Sequence, residues 1–135
     1  MPPKFPSEAW LKALEERLNN DAHYAQVARN WEGDLAFLIE PDASGELETP
    51  MVLYVDLWHG KCRGSAVLQD VAEKQPAFVL AASLEDYRKV LDGRLDPMQA
   101  MLTRKLKVKG SMAYMMRNVP VVLDFVRVCR EVTQG

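Results

Sequence analysis

The sequence predicts one domain of the α+β class, with helices near both ends of the chain and strands between them. Three observations lead to this prediction. Leucines recur at helical spacing in the first third, apolar and polar residues alternate in the middle third, and the last third contains both patterns. The expected order is two helices, four strands, two helices, one strand and a final helix. A length of 135 residues corresponds to a single domain, residues 1–135.

Two helices are predicted in the first third. Ser7 can cap the first, and the second can start after Asp21 and run to about Asn30. Residues three and four apart share one side of a helix, which identifies the apolar sides. These sides carry Leu11, Leu14 and Leu18 in the first helix, and Tyr24, Val27, Ala28 and Trp31 in the second.

The middle third is predicted to contain four strands, at residues 35–39, 51–58, 61–68 and 77–82. The polar stretch from Pro41 to Pro50 should connect the first two. Between the second and third, His59-Gly60 is typical of a two-residue hairpin turn. Glycine adopts positive φ freely, and histidine is enriched there among the other residues.

That turn predicts a register with one apolar and one polar face. The apolar face would pair Leu57 with Cys62, Val55 with Gly64, Leu53 with Ala66 and Met51 with Leu68. The polar face would pair Asp56 with Arg63 and Tyr54 with Ser65. Such a division is typical of an antiparallel sheet that helices cover on one side only.

The last third is predicted to form two short helices, a strand and a long helix. Caps are expected at Ser83, Asp96 and Ser111. Residues 105–109 alternate strictly between lysine and apolar side chains, which predicts a strand with lysines on one face. Pro120 should kink the final helix or split it in two, because proline has no backbone N–H.

Composition and charge exclude several classes of protein. With 17 basic and 19 acidic residues, the net charge of −2 argues against a nucleic-acid-binding protein. No apolar run approaches the roughly 18 residues of a membrane-spanning helix, and no apolar signal core follows Lys4. Cys62 and Cys129 are expected to be free thiols in a reducing compartment. We therefore expect a cytoplasmic protein.

The sequence gives little support for catalysis or metal binding. Asp56, His59 and Cys62 are close in sequence, but the predicted hairpin places Asp56 and Cys62 on opposite faces and His59 in the turn. Two histidines and two distant cysteines give no metal-ligand spacing, and the seven glycines form no phosphate-binding loop. We expect no catalytic residue, metal or cofactor, and hence no enzyme.

The stretch from Val90 to Phe125 resembles the sterol carrier protein type 2 family. The matching motifs are Leu91-Asp92-Gly93-Arg94-Leu95-Asp96-Pro97, then Ala100, then Lys105-Leu106-Lys107-Val108-Lys109-Gly110, then an apolar helix from Met112. The resemblance implies a five-stranded, mostly antiparallel sheet, with helices covering one face and an apolar tunnel between them. It also implies binding of fatty acyl chains, acyl-CoA, sterols or phospholipids without chemistry on them.

The apolar hairpin face and the methionines of the last third suggest which residues would contact such a ligand. Methionine is flexible and suits a wall that accepts variable chains, although the same residues could pack a solid core. The candidate contacts are Leu53, Val55, Leu57, Ala66, Met101, Leu106, Val108, Met112, Met115, Met116, Val119 and Leu123.

A basic strip has two interpretations. It consists of Arg104, Lys105, Lys107 and Lys109. The strip could lie near a tunnel mouth and attract a carboxylate, a CoA phosphate or an anionic membrane. It could also protect an edge strand against pairing with another sheet.

Three functions remain open at this point. The first is a lipid carrier, monomeric or dimeric, with transient membrane contact and with the helix after Pro120 as a mobile cover. The second is a protein-interaction or dimerisation module of the same fold, with a closed cavity. The third, a small acyl-group enzyme, would need a polar group deep in the tunnel, and the sequence identifies none.

Overall fold

The computed structural model describes residues 2–135, and its elements follow the predicted order. The helices are α1 (Glu8–Asn19), α2 (Ala22–Val27), α3 (Leu84–Leu91), α4 (Pro97–Leu102), α5 (Met112–Arg117) and α6 (Val119–Gln134). The strands are β1 (Leu35–Glu40), β2 (Met51–Trp58), β3 (Lys61–Leu68), β4 (Phe78–Ser83) and β5 (Lys107–Lys109). A short 3-10 turn, Val71–Glu73, precedes β4. Within residues 2–135 no helix has the length and hydropathy needed to cross a membrane.

Side-chain caps fix the helix starts where the sequence predicted them. The hydroxyl of Ser7 accepts a hydrogen bond from the backbone N–H of Trp10, and Asp21, Ser83, Asp96 and Ser111 cap later helices in the same way. Pro120 falls in the first turn of α6, and the long helix is split at Asn118, as expected. The caps therefore fix the starts of α1 to α5, whereas α6 begins without a side-chain cap.

The second helix is shorter than predicted, ending at Val27 instead of about Asn30. Trp31 leaves the helix because its backbone carbonyl accepts a hydrogen bond from the N–H of His59, at 2.7 Å. Its indole N–H donates to the carbonyl of Gly33, at 2.8 Å. The hydrogen bond between Trp31 and the hairpin turn thus takes the place of a further turn of α2.

The five strands form a mixed sheet in the order β3-β2-β1-β4-β5. Only β1 and β4 are parallel, so the sheet is mostly antiparallel, as predicted. The helices and one face of the sheet enclose the main hydrophobic core. The opposite face carries a small separate cluster of Ala36, Val52, Tyr54 and Leu68.

The register of the β2–β3 hairpin differs from the prediction. The observed pairs are Leu57 with Cys62, Val55 with Ser65, Leu53 with Val67 and Val52 with Leu68, and only the first was predicted. Between the first two pairs β3 has one residue more than β2, which is a β-bulge next to Gly64. Ala66 consequently pairs with Tyr54 on the face that the helices leave uncovered. The predictions that Ala66 shares the helix-covered face with Leu53, and that Ser65 faces Tyr54, are wrong.

The basic strip forms an edge strand, but a shorter one than predicted. Only Lys107–Lys109 pairs with β4. Residues 105–106 turn back toward α4, where the N–H of Leu106 donates to the carbonyl of Ala100 at 3.0 Å. This turn buries Leu106 and brings Lys105 to the wall of an internal cavity.

Gly60 closes the hairpin turn directly against α2. His59 and Gly60 have φ of 49° and 78°, as the two-residue turn requires. A Cβ added to Gly60 would lie 2.6 Å from the carbonyl oxygen of Ala25. We expect Gly60→Ala to lower the free energy of unfolding by about 2–3 kcal/mol, since a strained φ and a collision combine.

Urea unfolding tests this, with Gly45→Ala as the matched control. Gly45 has a similar φ of 73°, but an added Cβ meets nothing within 4 Å. Its substitution should therefore cost only about 1 kcal/mol. Equal losses in the two variants would contradict a steric role for the contact between Gly60 and α2.

Candidate functional site

An apolar cavity of about 60 Å³ lies between the helix-covered face of the sheet and the helices. Every atom that its wall exposes is apolar. Strands β1, β2 and β4 form one wall of the cavity, and all six helices contribute residues to the opposite wall. The residues that share this wall include Leu35, Leu57, Leu80, Ala82, Val90, Leu91, Ala100, Met101, Leu106, Met115, Val121, Val122 and Cys129.

Aromatic rings from distant parts of the chain form much of this wall. Phe37 of β1 stacks on Phe125 of α6, with ring centroids 5.9 Å apart. The rings of Trp10 and Tyr87 meet Phe37 edge-on, at 6.0 and 6.1 Å. Phe5 packs against Trp10 at 4.7 Å. Offset and edge-on contacts of this kind stabilise an arrangement beyond the area that they bury.

The buried hydroxyl and thiol groups on the wall are neutral at physiological pH. The hydroxyl of Tyr87 donates a hydrogen bond to the carbonyl of Leu80. Burial raises the pKa of Tyr24, Tyr87 and the Cys129 thiol well above their usual values. Among the described wall residues, only Asp86 and Lys105 carry charge, and both keep contact with solvent.

Four of the twelve sequence-predicted contacts line this cavity: Leu57, Met101, Leu106 and Met115. Leu53 and Val55 lie fully buried in the core on the same sheet face, outside the wall, and Val108 packs half-buried against that core. Val119 is half-buried at the start of α6, and Ala66 lies on the other face of the sheet. Met112, Met116 and Leu123 are exposed on the surface. Of the three methionines on α5, only Met115 reaches the wall.

Asp56, His59 and Cys62 are each engaged by a different partner. Asp56 accepts two hydrogen bonds from the guanidinium of Arg63, at 3.1 and 3.2 Å, as the predicted pair requires. His59 Nε2 lies 2.6 Å from a carboxylate oxygen of Glu32. Burial raises the pKa of the Cys62 thiol to about 11, so it is protonated at neutral pH. The three side chains therefore do not form a nucleophilic relay.

A charged cluster that the sequence reasoning missed fixes the middle of α6 beside α2. Asp124 is 7% exposed and lies 2.9 Å from His23 Nδ1. The guanidinium of Arg127 donates to Asp124, Asp21 and Glu131, each at 2.8 Å. The spacing of Asp124, Arg127 and Glu131 by three and four residues was the available signal. The cluster holds the part of α6 that carries Phe125 on the cavity wall.

Comparison with known proteins gives one family and several similar structures. The model of the SCP-2 sterol transfer family matches residues 11–122. A crystal structure of sterol carrier protein 2 is 33% identical with a TM-score of 0.86, covering 95% of this chain and 98% of its own. A conserved hypothetical protein of Thermus thermophilus, described as possibly a sterol carrier protein, is 34% identical with a TM-score of 0.86, covering 98% and 92%.

A more distant structure shares the fold. The Aedes aegypti sterol carrier protein 2, solved in complex with palmitate, is 15% identical with a TM-score of 0.52, covering 88% of this chain and 96% of its own. No curated sequence matches the chain significantly.

Proposed function

Because the chain belongs to the SCP-2 sterol transfer family, we propose that it binds one lipid molecule in the apolar cavity and transfers it chemically unchanged. The observation that carries the proposal is a wall exposing only apolar atoms, placed between sheet and helices. The neutral state of Tyr87 and Cys129 supports binding without catalysis, because neither side chain is an activated base or nucleophile there.

The proposed ligand has an acyl chain, a class that includes fatty acids and acyl-CoA. Burying each methylene group gains about 0.8 kcal/mol, so a long chain leaves water readily and can still return to a membrane. The palmitate held by the Aedes aegypti protein supports this class. Lys105 is the cation on the wall, and we assign it to the carboxylate or phosphate end of the ligand.

Binding requires the cavity to expand. Its volume of about 60 Å³ is well below the roughly 300 Å³ at which small-molecule pockets begin. The cluster around Arg127 holds α6 in place, so α5 is the better candidate for a moving cover than the whole of α6. α5 is attached through Tyr114, whose hydroxyl accepts from the N–H of Glu32 at 2.9 Å. Displacing α5 would withdraw Met115 from the wall.

A titration of delipidated protein with a fluorescent fatty-acyl probe tests the proposal. We expect saturable binding at one site with micromolar affinity, and displacement by fatty acid or acyl-CoA. Competition with a sterol distinguishes the ligand classes. A folded protein that binds none of these would overturn the carrier proposal.

The small cavity volume favours one alternative, a protein-interaction module whose core is closed. Such a module would bury an apolar surface against a partner chain and bind no lipid. Measuring the molecular mass by size exclusion, with and without detergent, separates the two proposals. A mass that detergent reduces, together with no probe binding, would support the module.

A further inference from the structure

We infer that the segment 97–123, comprising α4, β5, α5 and the start of α6, docks on the surface of an anionic lipid bilayer. In this arrangement Met112 and Met116 enter the lipid and the neighbouring cations contact its headgroups. The inference rests on the proposed function, since it names where the carrier would meet a donor or acceptor membrane. Met112 and Met116 themselves lie outside the cavity wall.

The charge of this segment differs sharply from that of the rest of the chain. Between Pro97 and Leu123 there is no acidic residue, and the five cations are Arg104, Lys105, Lys107, Lys109 and Arg117. The remaining residues carry 12 basic and 19 acidic side chains. Within residues 2–135 none of the five cations forms an ion pair, so their charge is available to a partner. An anionic surface is complementary to this segment, whereas the rest of the protein repels it.

Apolar side chains are exposed along the same segment. Leu102 is 73% exposed, Met112 42%, Met116 50% and Leu123 43%. They are four of the six large apolar side chains that are exposed among residues 2–135; the others are Trp58 and Val67. Apolar side chains beside cations are the combination that binds the interface of an anionic membrane. Cations alone would equally suit a soluble anion, so the methionines favour a bilayer.

The inner side of the same segment lines the cavity. Met101, Lys105, Leu106 and Met115 line the cavity wall, while Leu102 and Met116, the next residues after Met101 and Met115, face outward. Docking through Met116 would therefore place the cavity wall next to the lipid. A displacement of α5 at the bilayer would open a path by which the ligand passes between the cavity and the membrane without entering water.

Co-sedimentation with vesicles tests the inference without any ligand. Ligand-free protein is mixed with vesicles of phosphatidylcholine alone, or of phosphatidylcholine with phosphatidylserine. We expect binding only to the anionic vesicles, weakening as salt is raised. Met116→Asp should weaken binding at least about tenfold, because a charged side chain cannot enter the lipid. The control Val67→Asp, on the opposite edge strand and 40% exposed, should bind as the wild type does.

Two double variants test whether the cations of the segment contribute to vesicle binding. Lys107→Glu/Lys109→Glu should weaken binding by about 25-fold or more, since each cation near the surface contributes about 1 kcal/mol. Lys61→Glu/Lys74→Glu changes the net charge equally at other sites and should bind severalfold more tightly than the first pair. Equal weakening in both pairs would overturn the inference, because net charge would then explain it.

Two further results would overturn it. One is wild-type binding by Met116→Asp. The other is a wild-type dimer that Met116→Asp dissociates in the absence of vesicle binding, which would assign the patch to a second copy of the chain. Probe binding in solution is measured for every variant. Loss of vesicle binding with probe binding intact therefore separates failure at the docking surface from failure of the carrier proposal.

Discussion

Replacing Met115 with arginine is expected to lower the affinity for an acyl ligand by more than about a hundredfold. Met115 is 2% exposed and lies on the cavity wall. An unpaired guanidinium there would be costly to bury beside a ligand, by several kcal/mol, and each 1.4 kcal/mol is tenfold in affinity. It would also bring water into the space that the acyl chain must fill.

The measurement is the fluorescent-probe titration, with Met116→Arg as the control. Met116 is the next residue on α5 but is half exposed, so its arginine points to water and should leave probe binding unchanged. Should Met115→Arg fail to fold, Ala100→Leu fills the same cavity without charge. That variant should weaken binding at least about tenfold while the protein remains folded. If both variants bind the probe with the wild-type affinity, the cavity is not the ligand-binding site.

Much of the fold was predictable because its signals are local. The caps at Ser83 and Asp96 and the turn at His59-Gly60 each need only a few neighbouring residues, and all three formed as expected. The hairpin register could not be predicted in the same way. A bulge beside Gly64 depends on how two whole strands pack, and one extra residue moves every later side chain to the other face.

The cavity wall was only partly predictable, for a related reason. The sequence pattern does not separate Met115 from Met112 and Met116, because residues three and four apart share one side of a helix and only the packing of α5 decides which of them is buried. The aromatic rings around Phe37 come from residues far apart in sequence, and nothing in the alternation of β1 marks Phe37 as a wall residue. Their contacts arise only after the helices dock on the sheet.

Replacing Arg127 with methionine is expected to lower the free energy of unfolding at neutral pH by about 3 kcal/mol. The guanidinium of Arg127 bonds Asp124 and Asp21, and the first of these carboxylates is almost fully buried. Removing the cation leaves that carboxylate with only His23 as a partner, and breaking a buried pair typically costs about 3–5 kcal/mol. Urea unfolding measures the loss.

The loss of unfolding free energy in Arg127→Met should depend on pH, and the pKa of Asp21 determines in which direction. The hydrogen bond from Arg127 lowers the pKa of Asp21 below its usual value. A carboxylate with a lowered folded pKa contributes stability above its unfolded pKa, about 3.9, and loses it as the pH falls through the folded pKa. The difference between the wild type and Arg127→Met should therefore be largest near neutrality and should shrink below about pH 4.

A double variant tests whether the unpaired charge of Asp124 causes the loss of stability in Arg127→Met. Asp124→Leu/Arg127→Met removes the buried carboxylate together with its cation, so no unpaired charge remains between them. It should be more stable than Arg127→Met alone, although it has lost both hydrogen-bonding groups. If the double variant is instead the less stable of the two, the unpaired carboxylate of Asp124 does not cause the loss in Arg127→Met, and that loss comes from the other bonds of Arg127, to Asp21 and Glu131.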